Sequence, residues 1–186
     1  MPDTAEATTK FDGKDFVWES KVENLRPHLI AGTLGEAYDR GELKMRDVVV
    51  RAGGTLDRGV AAMGVTCREV PDTDADFQWY EFVARDGYAA IRVADSAGNM
   101  EVLEKTEDVR LPKGSRSTIE AACVDDASGD GQLWMTVNSE PVLHATDDSP
   151  LGNGAPGLQA YDSPESASED RFLIRWHDFT VSAPSR

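Results

Sequence analysis

The side chains able to do chemistry in this chain are mostly carboxylates, and their spacing decides what they can do. Cleavage of a glycosidic bond by paired acids needs one carboxyl to protonate the leaving oxygen and a second to attack the sugar or activate water. On a β-strand the two must stand two or four residues apart to project from one side. Glu101 and Glu104 are three apart, so on a strand they face opposite ways. Glu165, Glu169 and Asp170 fall in a loop, and Glu81 stands alone between Tyr80 and Phe82. A paired-carboxylate hydrolase is therefore not favoured. The histidines are His28, His144 and His177, no Gly-x-Ser-x-Gly occurs, and nothing in their spacing favours a nucleophilic triad.

Metal and sugar chemistry are the other candidates. Asp72, Asp74 and Asp76 form a D-x-D-x-D run of hard oxygen ligands that suit Ca²⁺, without the glycine and glutamate of an EF-hand loop. Asp125, Asp126 and Asp130 make a second acidic cluster, and Asp147 with Asp148 a third. Acidic loops on an acidic protein are the plainer reading of all three. Sugars bind by stacking a pyranose face on an exposed aromatic ring, with polar neighbours reaching the hydroxyls. Trp134 alternates with the apolar set Leu133, Met135 and Val137, and Trp79 and Glu81 alternate with Tyr80 and Phe82. If the apolar sets face the core, Trp134, Trp79, Glu81 and Arg92 are expected to line an outer face as candidate ligand-binding residues.

The elements that must position these residues are strands. Phe77–Val93 is two β-type runs joined at Asp86-Gly87, a strong hairpin signal in which a type I′ turn puts both central residues at positive φ. Further short runs are read at Phe11–Trp18, Asp47–Ala52, Val60–Arg68, Met100–Lys105, Thr118–Val124, Leu133–Val137, Val142–Thr146, Gly157–Tyr161 and Phe172–Val181. Gly53-Gly54 is read as a break, Glu19–Leu34 as irregular around Pro27, and Ala37–Met45 as a second hairpin or strand entry. Glu69–Asp76, Asp147–Pro156 and Asp162–Asp170 are read as loops. About a dozen short strands separated by turn signals predict an all-β sandwich of antiparallel strands and argue against βαβ units. The predicted layout is a flexible segment over 1–10, one sandwich domain over 11–182 and a tail over 183–186.

A chain of 186 residues with 40% hydrophobic and 28% charged residues is long enough for one cored domain. Its net charge of -15 repels nucleic acid and anionic lipid, which excludes both as expected partners. No run of about eighteen apolar residues is present, so no membrane insertion is expected. No basic segment followed by an apolar one opens the chain, so no signal sequence is read in it. The polar, Thr/Ala-rich start fits either a linker left after a leader is removed or a cytosolic chain.

Cys67 shares a strand face with Ala61, Met63 and Val65, and Cys123 with Ile119 and Ala121. Both thiols point with the apolar set. Alternation leaves two readings open, a disulfide between strands or two separate buried thiols.

The runs GVTCR, WYEFVARDGYAAIRV, STIEAACV, GQLWMTVNSEPVLHATD, GAPGLQAY and FLIRWHDFTV follow one another in an order that resembles a known group. It is that of bacterial extracytoplasmic β-sandwich domains of the concanavalin A-like lectin/glucanase kind, laminin G-like (LamG-like) in type. The resemblance covers roughly 47–181 and, more weakly, 16–45. It implies a jelly-roll of two antiparallel sheets, a Cys67–Cys123 bridge and an exported setting. Two positions depart from the group: Asn138-Ser139 where it has Asn-Gly, and His177 where an acid is expected. The expectation is a non-catalytic extracytoplasmic binding domain for carbohydrate or cell-envelope glycan. A hydrolase with an unrecognised site and a protein-interaction module are the alternatives.

Overall fold

The computed structural model describes residues 7–12, 15–20, 28–29, 44–70, 78–95, 99–162 and 172–184. Every element among them is a strand. The strands are β1 (Ala7–Asp12), β2 (Asp15–Ser20), β3 (His28–Leu29), β4 (Val48–Arg58), β5 (Ala61–Val70), β6 (Gln78–Arg85), β7 (Tyr88–Ala94), β8 (Met100–Thr106), β9 (Arg116–Asp125), β10 (Gly131–Val137), β11 (Glu140–Asp147), β12 (Ala155–Asp162) and β13 (Leu173–Ser182). They form two antiparallel sheets, a seven-stranded one in the order β1-β2-β13-β4-β9-β10-β11 and a six-stranded one in the order β3-β12-β5-β6-β7-β8. The fold is a concanavalin A-like jelly-roll sandwich.

Alternation in the sequence becomes the two faces of each sheet. Val48, Val50 and Ala52 of β4, Ile119, Ala121 and Cys123 of β9, and Leu133 and Met135 of β10 point inward from the larger sheet. Met63, Val65 and Cys67 of β5, Tyr80 and Phe82 of β6, and Ala89 and Ile91 of β7 meet them from the smaller one. Cys67 and Cys123 are bonded to each other, Cα atoms 6.7 Å apart, so one covalent link crosses the core from sheet to sheet.

Several local expectations are corrected. The paired glycines do not break the strand: β4 runs through both to Arg58. A Cβ on Gly53 would lie 2.6 Å from the Asp178 carboxylate, and one on Gly54 3.0 Å from the Trp176 ring. The glycines let β13 side chains lie against the strand. The single strand read at Phe11–Trp18 is two, β1 and β2, paired from Ala7↔Ser20 to Asp12↔Asp15. Ala7–Lys10, the end of the segment read over 1–10, lies in β1. At Asp86-Gly87 only Gly87 takes positive φ, whereas both central residues of the Asn138-Ser139 turn do. The type I′ geometry therefore falls at the β10–β11 hairpin. The 69–76 loop begins later than read, because Glu69 and Val70 close β5. The hairpin read at 37–45 lies outside the described residues except for Lys44 and Met45, as does the 162–170 loop apart from Asp162.

Candidate functional site

The sequence places Trp134, Trp79, Glu81 and Arg92 together; the structure divides them. Trp134 is on β10 of the seven-stranded sheet, and the other three are on β6 and β7 of the six-stranded sheet. The Leu133 and Tyr80 sets do face the core, as read. Because they do so from opposite layers, Trp134 points away from the core on one side of the sandwich and the Trp79 group on the other, where Glu81 and its neighbour Thr66 are buried instead of lining an open face.

Around Trp134 the side chains are organised. Its ring stacks on that of His144, directly across the β10–β11 pair, with centroids 5.0 Å apart and planes 14° from parallel. Trp134 remains 40% exposed, one of three large hydrophobic residues so open among the described residues. His144 Nε2 lies 3.0 Å from Gln132 Oε1, which also accepts from the Thr146 hydroxyl at 3.2 Å. An amide oxygen can only accept, so Nε2 carries the proton. Gln132 Nε2 donates in turn to Asp126 at 2.9 Å, and Asp126 holds its own turn by accepting from the backbone N–H groups of Ser128 and Asp130. The outcome is an exposed aromatic plate whose tilt is set by a stacked imidazole, bordered by a line of hydrogen-bonding groups. On the next strand Ala122 pairs with Trp134, so the side of the plate away from His144 is low.

The opposite outer face carries a second polar row. Thr66, Glu81 and Arg92 stand in cross-strand register on β5, β6 and β7. Arg92 donates to Glu81 at 3.3 Å and to the Tyr88 hydroxyl at 3.2 Å. Glu81 is buried, while the Arg92 side chain keeps 19% exposure. Thr66 also donates to Glu69 at 3.2 Å. Burial raises the Glu69 carboxyl to about 7, against a smaller lowering by that hydrogen bond. Sequence reading missed Glu69, because strand alternation is interrupted at the bulge between Cys67 and Val70.

The acidic clusters have structural roles where they are described. Asp125 is shared by Arg46 and Arg68, and Asp147 accepts from Tyr80 and from the N–H of Ser149. Burial and the Asp147 bond push the Tyr80 hydroxyl above its ordinary range. Among the described residues no three His, Cys, Asp or Glu are gathered so as to hold a metal ion. Asp72, Asp74 and Asp76 lie outside the described residues.

No protein-family profile matches the chain, and no curated protein is similar to it in sequence. Solved structures are similar in fold. A carbohydrate-binding module, CBM66, from Bacillus subtilis superposes with a TM-score of 0.58 at 11% identity, over 97% of this chain and 92% of that one. A Bacillus subtilis protein of unknown function with a galectin-like fold gives 0.57 at 11% identity, covering 97% and 83%. The galectin LEC-6 of Caenorhabditis elegans gives 0.51 at 12% identity, covering 91% and 96%. At these identities the likeness is one of fold, concanavalin A-like and galectin-like.

Proposed function

We propose that this protein is a carbohydrate-binding domain that takes glycan on the outer face of its seven-stranded sheet, with Trp134 as the stacking platform. The observation that carries this reading is the exposed Trp134 ring held nearly parallel to His144 and bordered by Gln132, Thr146 and Asp126. A flat, exposed ring held in one orientation suits the C–H face of a pyranose. The neighbours named as a carbohydrate-binding module and a galectin support the same reading. A net charge of -15 favours a neutral or amine-bearing glycan over an acidic one.

The extracytoplasmic setting and the laminin G-like relationship belong to this proposal. The Cys67–Cys123 bond supports the first, since disulfides persist in oxidising compartments. The motif order supports the second. Calcium at Asp72, Asp74 and Asp76 is a proposal too, supported by their D-x-D-x-D spacing. A second reading places the ligand on the opposite face, where Glu81 and Tyr88 hold the Arg92 guanidinium and Trp79 shares its strand with Glu81.

A broad array of neutral, amino and acidic glycans, probed with calcium and with chelator, tests the proposal. Specific binding to neutral or amino glycans supports it, and dependence on calcium supports the acidic loop. An array with no binding, set beside capture of a protein partner, would replace it with the interaction-module reading.

A further inference from the structure

The seven-stranded sheet brings together three residues that are far apart in sequence and that no reading of spacing joins. His177 on β13 lies with Nδ1 3.2 Å from Asp15 Oδ1 on β2 and Nε2 2.7 Å from Thr55 Oγ1 on β4. A carboxylate accepts, so Nδ1 carries the proton of the neutral ring. Nε2 is then a lone pair facing the Thr55 hydroxyl. That is the order of a nucleophile, a general base and the group that orients it, at distances within reach of proton transfer. A register shift between Trp176 and Asp178 on β13 sets His177 out of simple alternation and aims it along this line.

The surroundings suit an acyl group. In cross-strand register Thr55 is flanked by Arg175 of β13 and Arg116 of β9. Arg175 is held by Asp57 at 3.3 Å and lies 3.8 Å from Asp15; Arg116 is held by Asp178. Both arginines stand on strands beside Thr55 and are paired with carboxylates; a guanidinium that turned from its carboxylate would be a donor for an oxygen gaining negative charge there. Thr55 is 8% exposed, and the His177 side chain 21%. The hydroxyl is thus lodged in the sheet surface with the imidazole open at its side.

We propose that Thr55, His177 and Asp15 form an acyl-transfer centre for small carboxylic esters. In the first half, the Thr55 proton passes to His177 Nε2 as Oγ1 bonds to the ester carbon. The ester C–O bond then breaks, and the leaving alcohol oxygen takes that proton. In the second half, water gives a proton to Nε2 and its oxygen bonds to the acyl carbon. The Thr55 ester bond breaks, Oγ1 regains the proton, and a carboxylic acid leaves. No oxidant, metal or cofactor enters this balance. Asp15 is a positioning residue and touches no reacting atom. The proposal does not rest on glycan binding at Trp134, which is carried by other strands, and either can fail alone.

The test uses the full chain with 4-nitrophenyl acetate as substrate and an alkyl fluorophosphonate as label, followed by peptide mapping. Expected are turnover and a single phosphonyl adduct on Thr55. Both should be lost in the nearly isosteric Thr55→Val and slowed about 100-fold or more in His177→Gln. Circular dichroism should show both variants folded. Turnover or labelling in Thr55→Val at the wild-type rate would overturn the proposal. So would an adduct mapped elsewhere, or a wild-type protein that neither turns over ester nor takes the label.

Discussion

Arg68 donates to Asp125 at 2.7 Å, joining β5 to β9 beside the bond that already ties Cys67 to Cys123. The ionic and covalent links between the sheets are thus neighbours, one and two residues beyond the cysteines. Arg68 is fully buried and takes a left-handed φ of 52° that only glycine adopts freely. Its guanidinium also donates to the carbonyls of Arg46 and Leu151, at 2.8 and 3.0 Å. Those bonds compensate the backbone cost at the bulge. Arg68→Met should leave both carbonyls without this donor and Asp125 with Arg46 alone. We expect a loss of about 3 kcal/mol, read from the urea midpoint.

Gly154 is where that arrangement is most sensitive to volume. A Cβ there would lie 2.3 Å from the Arg68 carbonyl carbon and 2.5 Å from the Glu69 nitrogen, both backbone atoms that cannot swing aside. Gly154→Ala is expected to destabilise by about 1–3 kcal/mol. A thermal melt at unchanged pH reads it, and a melt equal to wild type would contradict the close packing.

The disulfide closes a span of 56 residues, worth about 4 kcal/mol as lost freedom of the unfolded chain. Cys67→Ser with Cys123→Ser should lower the guanidinium midpoint accordingly. Reductant should lower the wild type and leave the double variant unmoved.

Glu69 makes stability depend on pH in a stated direction. Its folded value of about 7 stands above the ordinary 4.5 because burial disfavours the charged form. Its contribution is whole below about pH 4.5 and is lost as pH rises toward and through 7. The loss is of order 3 kcal/mol at most. Glu69→Gln should flatten this part of the stability-pH curve and gain on the wild type at pH 8 relative to pH 4. Parallel curves for the two proteins would contradict the buried-acid account.

The sequence carried the layers well and the site only in part. Alternation of Leu133, Met135 and Val137 with Trp134 is local, so the inward set and the exposed indole were both legible. Which layer each strand joins is not local. Trp134 and Trp79 have similar surroundings in sequence yet end on opposite faces, because β10 and β6 enter different sheets. Gly53 and Gly54 misled for a related reason, since glycine reads as a break until Trp176 and Asp178 arrive from a strand more than a hundred residues away. His177 could not be joined to Thr55 and Asp15 from spacing, because strand order alone brings β2, β13 and β4 side by side. Thr66 and Glu69 are close in sequence, but their contact needs the bulge after Cys67, which has no clear signal in residue type.

The most direct measurement is titration calorimetry of Trp134→Ala, Arg92→Ala and wild type against the strongest glycan ligand. Trp134 is exposed, so its removal should leave the fold intact. The expected result is an affinity at least about tenfold weaker for Trp134→Ala, about 1.4 kcal/mol, with Arg92→Ala unchanged. Unchanged binding by Trp134→Ala, together with loss in an Arg92→Ala protein shown folded by circular dichroism, would contradict the account and move the site to the six-stranded sheet.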